Sequence, residues 1–137
     1  MCAQEKADVD KAVQSWELNY SCFSDPTHTL NKHLQEKFEF AVKVSGGEGS
    51  TDSSFYKVHP TIKQYKYGVA QPGVLCVNRE GKKLYSWAID PSFMNLGGAT
   101  DRPVPVDIWK YIKGRITGEN TSEVPPSMRK RGKLSLF

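Results

Sequence analysis

The chain has little cysteine, and none of it is spaced for metal binding or disulfide exchange. Three cysteines occur in 137 residues: Cys2, Cys22 and Cys76. They form no Cys-x-x-Cys pair and no zinc spacing, and an odd count leaves at least one thiol unpaired within the chain. Such usage fits a reducing, intracellular (cytoplasmic) setting. No window approaches the roughly 20 apolar residues of a bilayer-spanning helix, so no membrane association is expected from spans. The opening "MCAQEKADVDKAV" carries acids and no apolar stretch, so no signal peptide is read. No Gly-Lys-Ser/Thr accompanies the glycines of "SGGEGSTDSS", which leaves no lysine placed on a nucleotide phosphate. A Gly-x-Ser-x-Gly elbow, the mark of many serine hydrolases, is missing too. His28 and His33 are five residues apart and fall on different sides of a helix. A metal pair is therefore not expected, nor any cofactor.

Acid is missing from the last ten residues, where Arg129, Lys130, Arg131 and Lys133 lie. Those four account for the whole net charge of +4, because the remaining basic and acidic residues are equal at 15 each. The body of the protein is neutral and the basicity belongs to a loose tail, 119–137. Nucleic acid is not an expected partner except through weak contact with that tail.

What is present reads as one α/β domain, 1–118, with a flexible insertion at 45–54. Val9, Ala12, Val13 and Trp16 fall at i, i+3, i+4 and i+7 and predict a helix over 6–18. "YSCFS" (20–24) alternates and predicts a strand. Asp25-Pro26 then suits a helix start, because Asp accepts backbone N–H bonds and Pro needs no donor in the first turn. Leu30, Leu34 and Phe38 carry that second helix over 26–38, and "FAVKV" (40–44) is a candidate strand. Gly73 to Val77 is an unbroken small and apolar run. The turn 78–81 ends in Gly81, which supplies the positive φ of a bulged hairpin. Beyond it, Leu84, Ser86 and Ala88 alternate with Tyr85, Trp87 and Ile89, a strand with two unlike faces, antiparallel to its partner. Trp109, Ile112 and Ile116 mark a last helix over 105–116, closed by Gly118.

Three stretches carry a family likeness. "CFSDPTHTLNKHL" (22–34), "AQPGVLCVNREGKKLYSWAI" (70–89) and "GGATDRPVPVDIWKYI" (97–112) resemble the peroxiredoxin-like (AhpC/TSA-type) branch of the thioredoxin-fold superfamily. The resemblance implies a truncated thioredoxin-like fold, a mixed sheet of three to four strands with a C-terminal hairpin and helix. It also implies a cis Gln71–Pro72 bond, with Gln71 and Pro72 beside a reactive cysteine. The family's peroxidatic motif, Pro-x-x-x-Thr/Ser-x-x-Cys at a helix start, is missing, and Cys2 falls at the end of a preceding strand instead. The chain reads as beginning partway through that fold.

Two classes of function follow. The favoured one is a non-catalytic interaction or assembly module that keeps the fold without the nucleophile. The other is a thiol-dependent antioxidant oxidoreductase working through Cys22 or Cys2. Arg102, before the last helix, is a candidate anion contact; Trp87 is a candidate ligand contact that more simply fills the core. Cys76 reads as a core residue. An unpaired sheet edge in a truncated fold invites a homodimer or a partner that completes the sheet.

Overall fold

The computed structural model describes residues 1–47, 65–90 and 102–119. It is a mixed α/β arrangement. In order come α1 (Lys6–Ser15), α2 (Thr29–Phe38), β1 (Val44–Ser45), β2 (Val69–Ala70), β3 (Gly73–Val77), β4 (Lys83–Ala88) and α3 (Pro105–Thr117). The strands pair as two separate antiparallel ribbons, β1 with β2 and β3 with β4. The single mixed sheet expected from the resemblance is not formed among the described residues.

The β3–β4 hairpin is built as its alternation requires. Val74 faces Trp87 and Cys76 faces Tyr85 across the ladder. Tyr85, Trp87 and Ile89 point to one face and meet Ile108 and Ile112 of α3 in the apolar core. Gly81 holds φ at 78° in the turn, and the Asn78 side chain accepts from the backbone N–H groups of Glu80 and Lys82. One detail departs from strict alternation. The pairing slips between Cys76 and Val77, so Val77 faces Lys83 and Leu84 is the extra residue of a bulge. The bulge turns Leu84 to the core face. Lys83 reaches from the hairpin to the Phe38 carbonyl at the end of α2, donating at 2.6 Å.

α3 begins with Pro105 in its first turn and ends at Gly118, whose φ of 75° is the left-handed geometry of a helix stop. Ile108 and Ile112, one turn apart, supply its buried stripe.

The N-terminal half is joined differently, by polar side chains. Asp25 is buried, and its two carboxylate oxygens accept from the backbone N–H groups of Leu30 and Asn31, each at 3.0 Å. It caps α2 from a distance: the helix starts at Thr29, three residues later than the Asp-Pro pair predicts, behind His28 in a left-handed conformation. The buried Asn31 side chain then pairs twice with Val42, donating to its carbonyl and accepting from its N–H, both at 2.9 Å. An amide thereby takes the place of a neighbouring strand. For that reason the strand expected over 40–44 shrinks to Val44–Ser45.

Three other expectations are corrected. Residues 20–24 make no strand; only Ser24 bridges to Cys2, in parallel. Tyr20 and Phe23 stay exposed, so the alternation there has no buried face to serve. α1 ends at Ser15 rather than at 18, and Glu17 turns the chain with a φ of 50°. The Gln71–Pro72 bond is trans, like every other described peptide bond. Along this chain the Gln71 N–H donates to the Lys43 carbonyl, extending the β1–β2 pairing, and the Pro72 carbonyl accepts from the Ile89 N–H, extending the β3–β4 pairing. Residues 48–54 of the expected insertion, His59, and the tail beyond Glu119 lie outside the described residues.

Candidate functional site

Among the described residues, the apolar face of α1 has no matching layer above it. Val9 is buried and Ala12 and Val13 are half-buried, while Trp16, at the end of the same stripe, stands 72 % exposed. Below the helix, residues 1–4 run beside 23–25. The Cys2 N–H donates to the Phe23 carbonyl and the Asp25 N–H to the Cys2 carbonyl, both at 2.8 Å. The Ser24 hydroxyl closes on the Gln4 carbonyl at 2.6 Å. The Gln4 amide in turn donates to the Gly68 carbonyl at 2.7 Å, and the Tyr67 hydroxyl donates to Glu5. Gly68 must be glycine: a Cβ there would lie 2.1 Å from the Gly46 carbonyl oxygen, and its φ is 77°. Together these bonds fix the floor of a groove of about 750 Å³ between α1, the 20–23 segment and β2.

The groove is apolar and rimmed by aromatics. Tyr20 and Phe23 stand 63 % and 59 % exposed at its edge, and Tyr65 flanks it beside Val69. Among the described residues that line it, no side chain is basic and Asp8 is the one carboxylate. A second groove, of about 620 Å³, runs between α2 and the reverse face of β4. Lys32, Glu36 and Glu39 make its wall polar, unlike the first.

The structure brings the two redox candidates together and leaves the other four elsewhere. Cys2 and Cys22 both line the apolar groove, half-buried and as free thiols. Cys2 is held by its two backbone bonds to Phe23 and Asp25. The Cys22 thiol donates to the Tyr20 carbonyl at 3.9 Å. Gln71 is buried, and its side-chain amide donates to the Ser45 hydroxyl at 3.1 Å, a structural latch between β1 and β2. Pro72 is exposed. Trp87 is in the apolar core. Arg102 is exposed before α3 and does not line the groove. Burial pushes the Cys76 thiol above its ordinary pKa, which keeps it protonated, and it packs against the core as a small apolar group. No cluster of three or more potential metal ligands occurs among the described residues.

Sequence reasoning placed Trp16 on the apolar stripe of the first helix and Tyr20 and Phe23 in a strand, none of them at a site. The one available signal was excess: four large apolar side chains, Trp16, Leu18, Tyr20 and Phe23, within eight residues. Comparison of the chain with protein families, with curated proteins and with solved structures finds no match.

Proposed function

We propose that the chain is an intracellular, non-catalytic interaction module of thioredoxin-like, peroxiredoxin-related type. Its working surface is the apolar groove, and the occupant is one apolar peptide segment of a partner protein, flanked by a basic residue. The observation that carries this reading is the open 750 Å³ groove with Trp16, Tyr20 and Phe23 proud of its rim. A cleft of that size takes a few side chains, not a folded domain. Exposed Trp and Tyr at the edge of an apolar pocket are the residues that dominate binding energy in interfaces. Asp8, the single carboxylate of the lining, selects a cation at the occupant's edge.

The family type is supported by two features. A hairpin carries a helix on one face, and the Cys2–Ser24 parallel bridge spans α1 as in a β-α-β unit. The non-catalytic part rests on the thiols' surroundings. A nucleophilic cysteine needs a cation or a helix N-terminus beside it. Among the described residues no basic side chain lines the groove, and Cys2 precedes the start of α1 by four residues. One observation favours the alternative of a thiol oxidoreductase: Cys2 and Cys22 share the groove. Oxidation by hydrogen peroxide, followed by intact mass, separates the two readings. The module reading expects slow, unselective oxidation; fast stoichiometric sulfenic acid at Cys2 or Cys22, lost on C2S or C22S, overturns it.

The occupant is tested by panning a randomised peptide library on the immobilised full chain. Enriched sequences should combine two or more large apolar residues with a Lys or Arg, and their binding should fall at least tenfold on Trp16→Ser. Enrichment that ignores Trp16→Ser overturns the assignment. A dimer in sedimentation velocity that is abolished by Trp16→Ser would replace the peptide by a second copy of the chain.

A further inference from the structure

The two ends of the apolar groove are unlike. α1 runs along it, with Asp8 in its first turn and Trp16 at its C-cap. The eight-residue step between them is about 12 Å along the helix axis. Past Trp16 the chain turns back at Glu17, and residues 20–23 return to the start of the helix. The bond from the Cys2 N–H to the Phe23 carbonyl fixes the end of that return. Tyr65 is tied to the same end: its carbonyl accepts from the Gly68 N–H, and the Gly68 carbonyl accepts from the Gln4 amide. Trp16, Leu18 and Tyr20 thus make an apolar head, while the foot holds Asp8 with the exposed rings of Phe23 and Tyr65. Among the described residues Asp8 forms no ion pair. Neither ring of the foot stacks on another ring or carries a cation of the described chain.

We infer that the groove reads a spacing: its occupant is an extended segment that sets an arginine at the foot and a large apolar side chain at the head, four residues apart. The inference rests on the peptide-binding reading of the groove and carries it from composition to register. Arginine suits the foot better than lysine. Its flat guanidinium pairs with a carboxylate and lies on an aromatic ring, whereas a lysine ammonium is a compact, strongly hydrated charge. The register follows from chain geometry. Alternate side chains of an extended segment face the same way, so residues turned into the groove are an even number apart. A step of two spans about 7 Å and a step of four about 13 Å, and the second matches the separation of head and foot. A helical occupant would need the same pair about eight residues apart.

The test is fluorescence anisotropy of labelled synthetic peptides titrated with the full chain. Each peptide carries one Arg and one Phe in a Ser/Ala background, set two, four or eight residues apart and made in both chain orders. The better order at a step of four should bind about tenfold more tightly than any peptide at a step of two or eight. Replacing its Arg by Lys should weaken it about threefold. Asp8→Asn should weaken the Arg peptide about fivefold and leave a Gln counterpart unchanged. Equal loss for the Arg and Gln peptides would make Asp8 a residue that only supports the helix start, and would overturn the inference. Equal or tighter binding at a step of two or eight, or of the Lys peptide, overturns it too. Asp8 is exposed, so the urea midpoint serves as the folding control. Trp16→Ser separates this inference from the reading beneath it. Panned peptides that need Trp16 but show no preferred spacing overturn the register alone; peptides indifferent to Trp16→Ser overturn both.

Discussion

The two halves of the molecule are held together by different forces. In the C-terminal half, Tyr85, Trp87, Ile89, Ile108 and Ile112 close an apolar core between hairpin and helix. In the N-terminal half Ala3, Val9, Phe40, Val42 and Val44 are buried, and polar joints link the segments that carry them: Asp25 to α2, Asn31 to Val42, Ser24 to Gln4, Gln4 to Gly68, and Gln71 to Ser45. Apolar area drives burial in proportion to its extent, and the C-terminal core draws in Tyr85 and Trp87 while Trp109 stays 63 % exposed. In the N-terminal half Trp16, Tyr20 and Phe23 stay outside. The difference teaches where to look for function in this chain: in the half joined by polar latches, Trp16, Tyr20 and Phe23 stand exposed around one groove.

That contrast can be broken from either side. The largest effect is expected at Ile89, the most enclosed member of the apolar core. Ile89→Ala removes buried methylene surface and leaves a cavity, and should cost about 2–5 kcal/mol in urea unfolding. The groove should be unaffected until the chain unfolds.

Next comes the polar half. Asn31→Ala strips the Val42 N–H and carbonyl of their partners in a buried place. The loss should be about 1–3 kcal/mol, the cost of leaving such groups unsatisfied. Here the groove should suffer along with stability, because α2 and the 40–45 segment are no longer latched. Hydrogen exchange is the discriminating readout: Asn31→Ala should speed exchange in residues 40–45 far more than in 83–88. Equal acceleration in both halves would show that the two are one cooperative unit with no division of labour.

The smallest effect concerns pH. Burial raises the Cys76 thiol in the folded state, so the folded chain holds that proton more tightly than the unfolded chain. Its contribution to stability is complete below the unfolded thiol pKa and is lost as pH rises through the folded value. Stability should decline at alkaline pH by a small amount, and Cys76→Ala should flatten that decline. The measurement is the urea midpoint as a function of pH for both proteins.

The hairpin and α3 were readable in the sequence because burial on one face writes itself as alternation or as a helical stripe. Tyr85, Trp87 and Ile89 against Ser86 and Ala88 gave the correct faces; Leu84 escaped because a bulge adds one residue and resets the parity. α2 was legible in its stripe but not in its start, since Asp25 caps from outside the helix. The 40–44 segment was misassigned because its strand partner is the Asn31 side chain, which no periodicity reports. The groove was illegible for a different reason. Its walls come from 1–4, α1, 20–23 and 65–70, brought together by side-chain bonds such as Gln4 to Gly68. Trp16, on the apolar stripe of α1, carries the periodicity of a core residue; it is exposed because nothing among the described residues packs over it.

The central claim, that the groove binds an apolar peptide segment through its aromatic rim, meets its most direct test in one titration. A fluorescein-labelled peptide selected by panning is titrated with the full chain and with Trp16→Ser, following anisotropy. The substitution touches an exposed side chain and should move stability by no more than about 0.5 kcal/mol. The account predicts at least a tenfold loss of affinity with an unchanged urea midpoint. Equal affinity for the two proteins would contradict it.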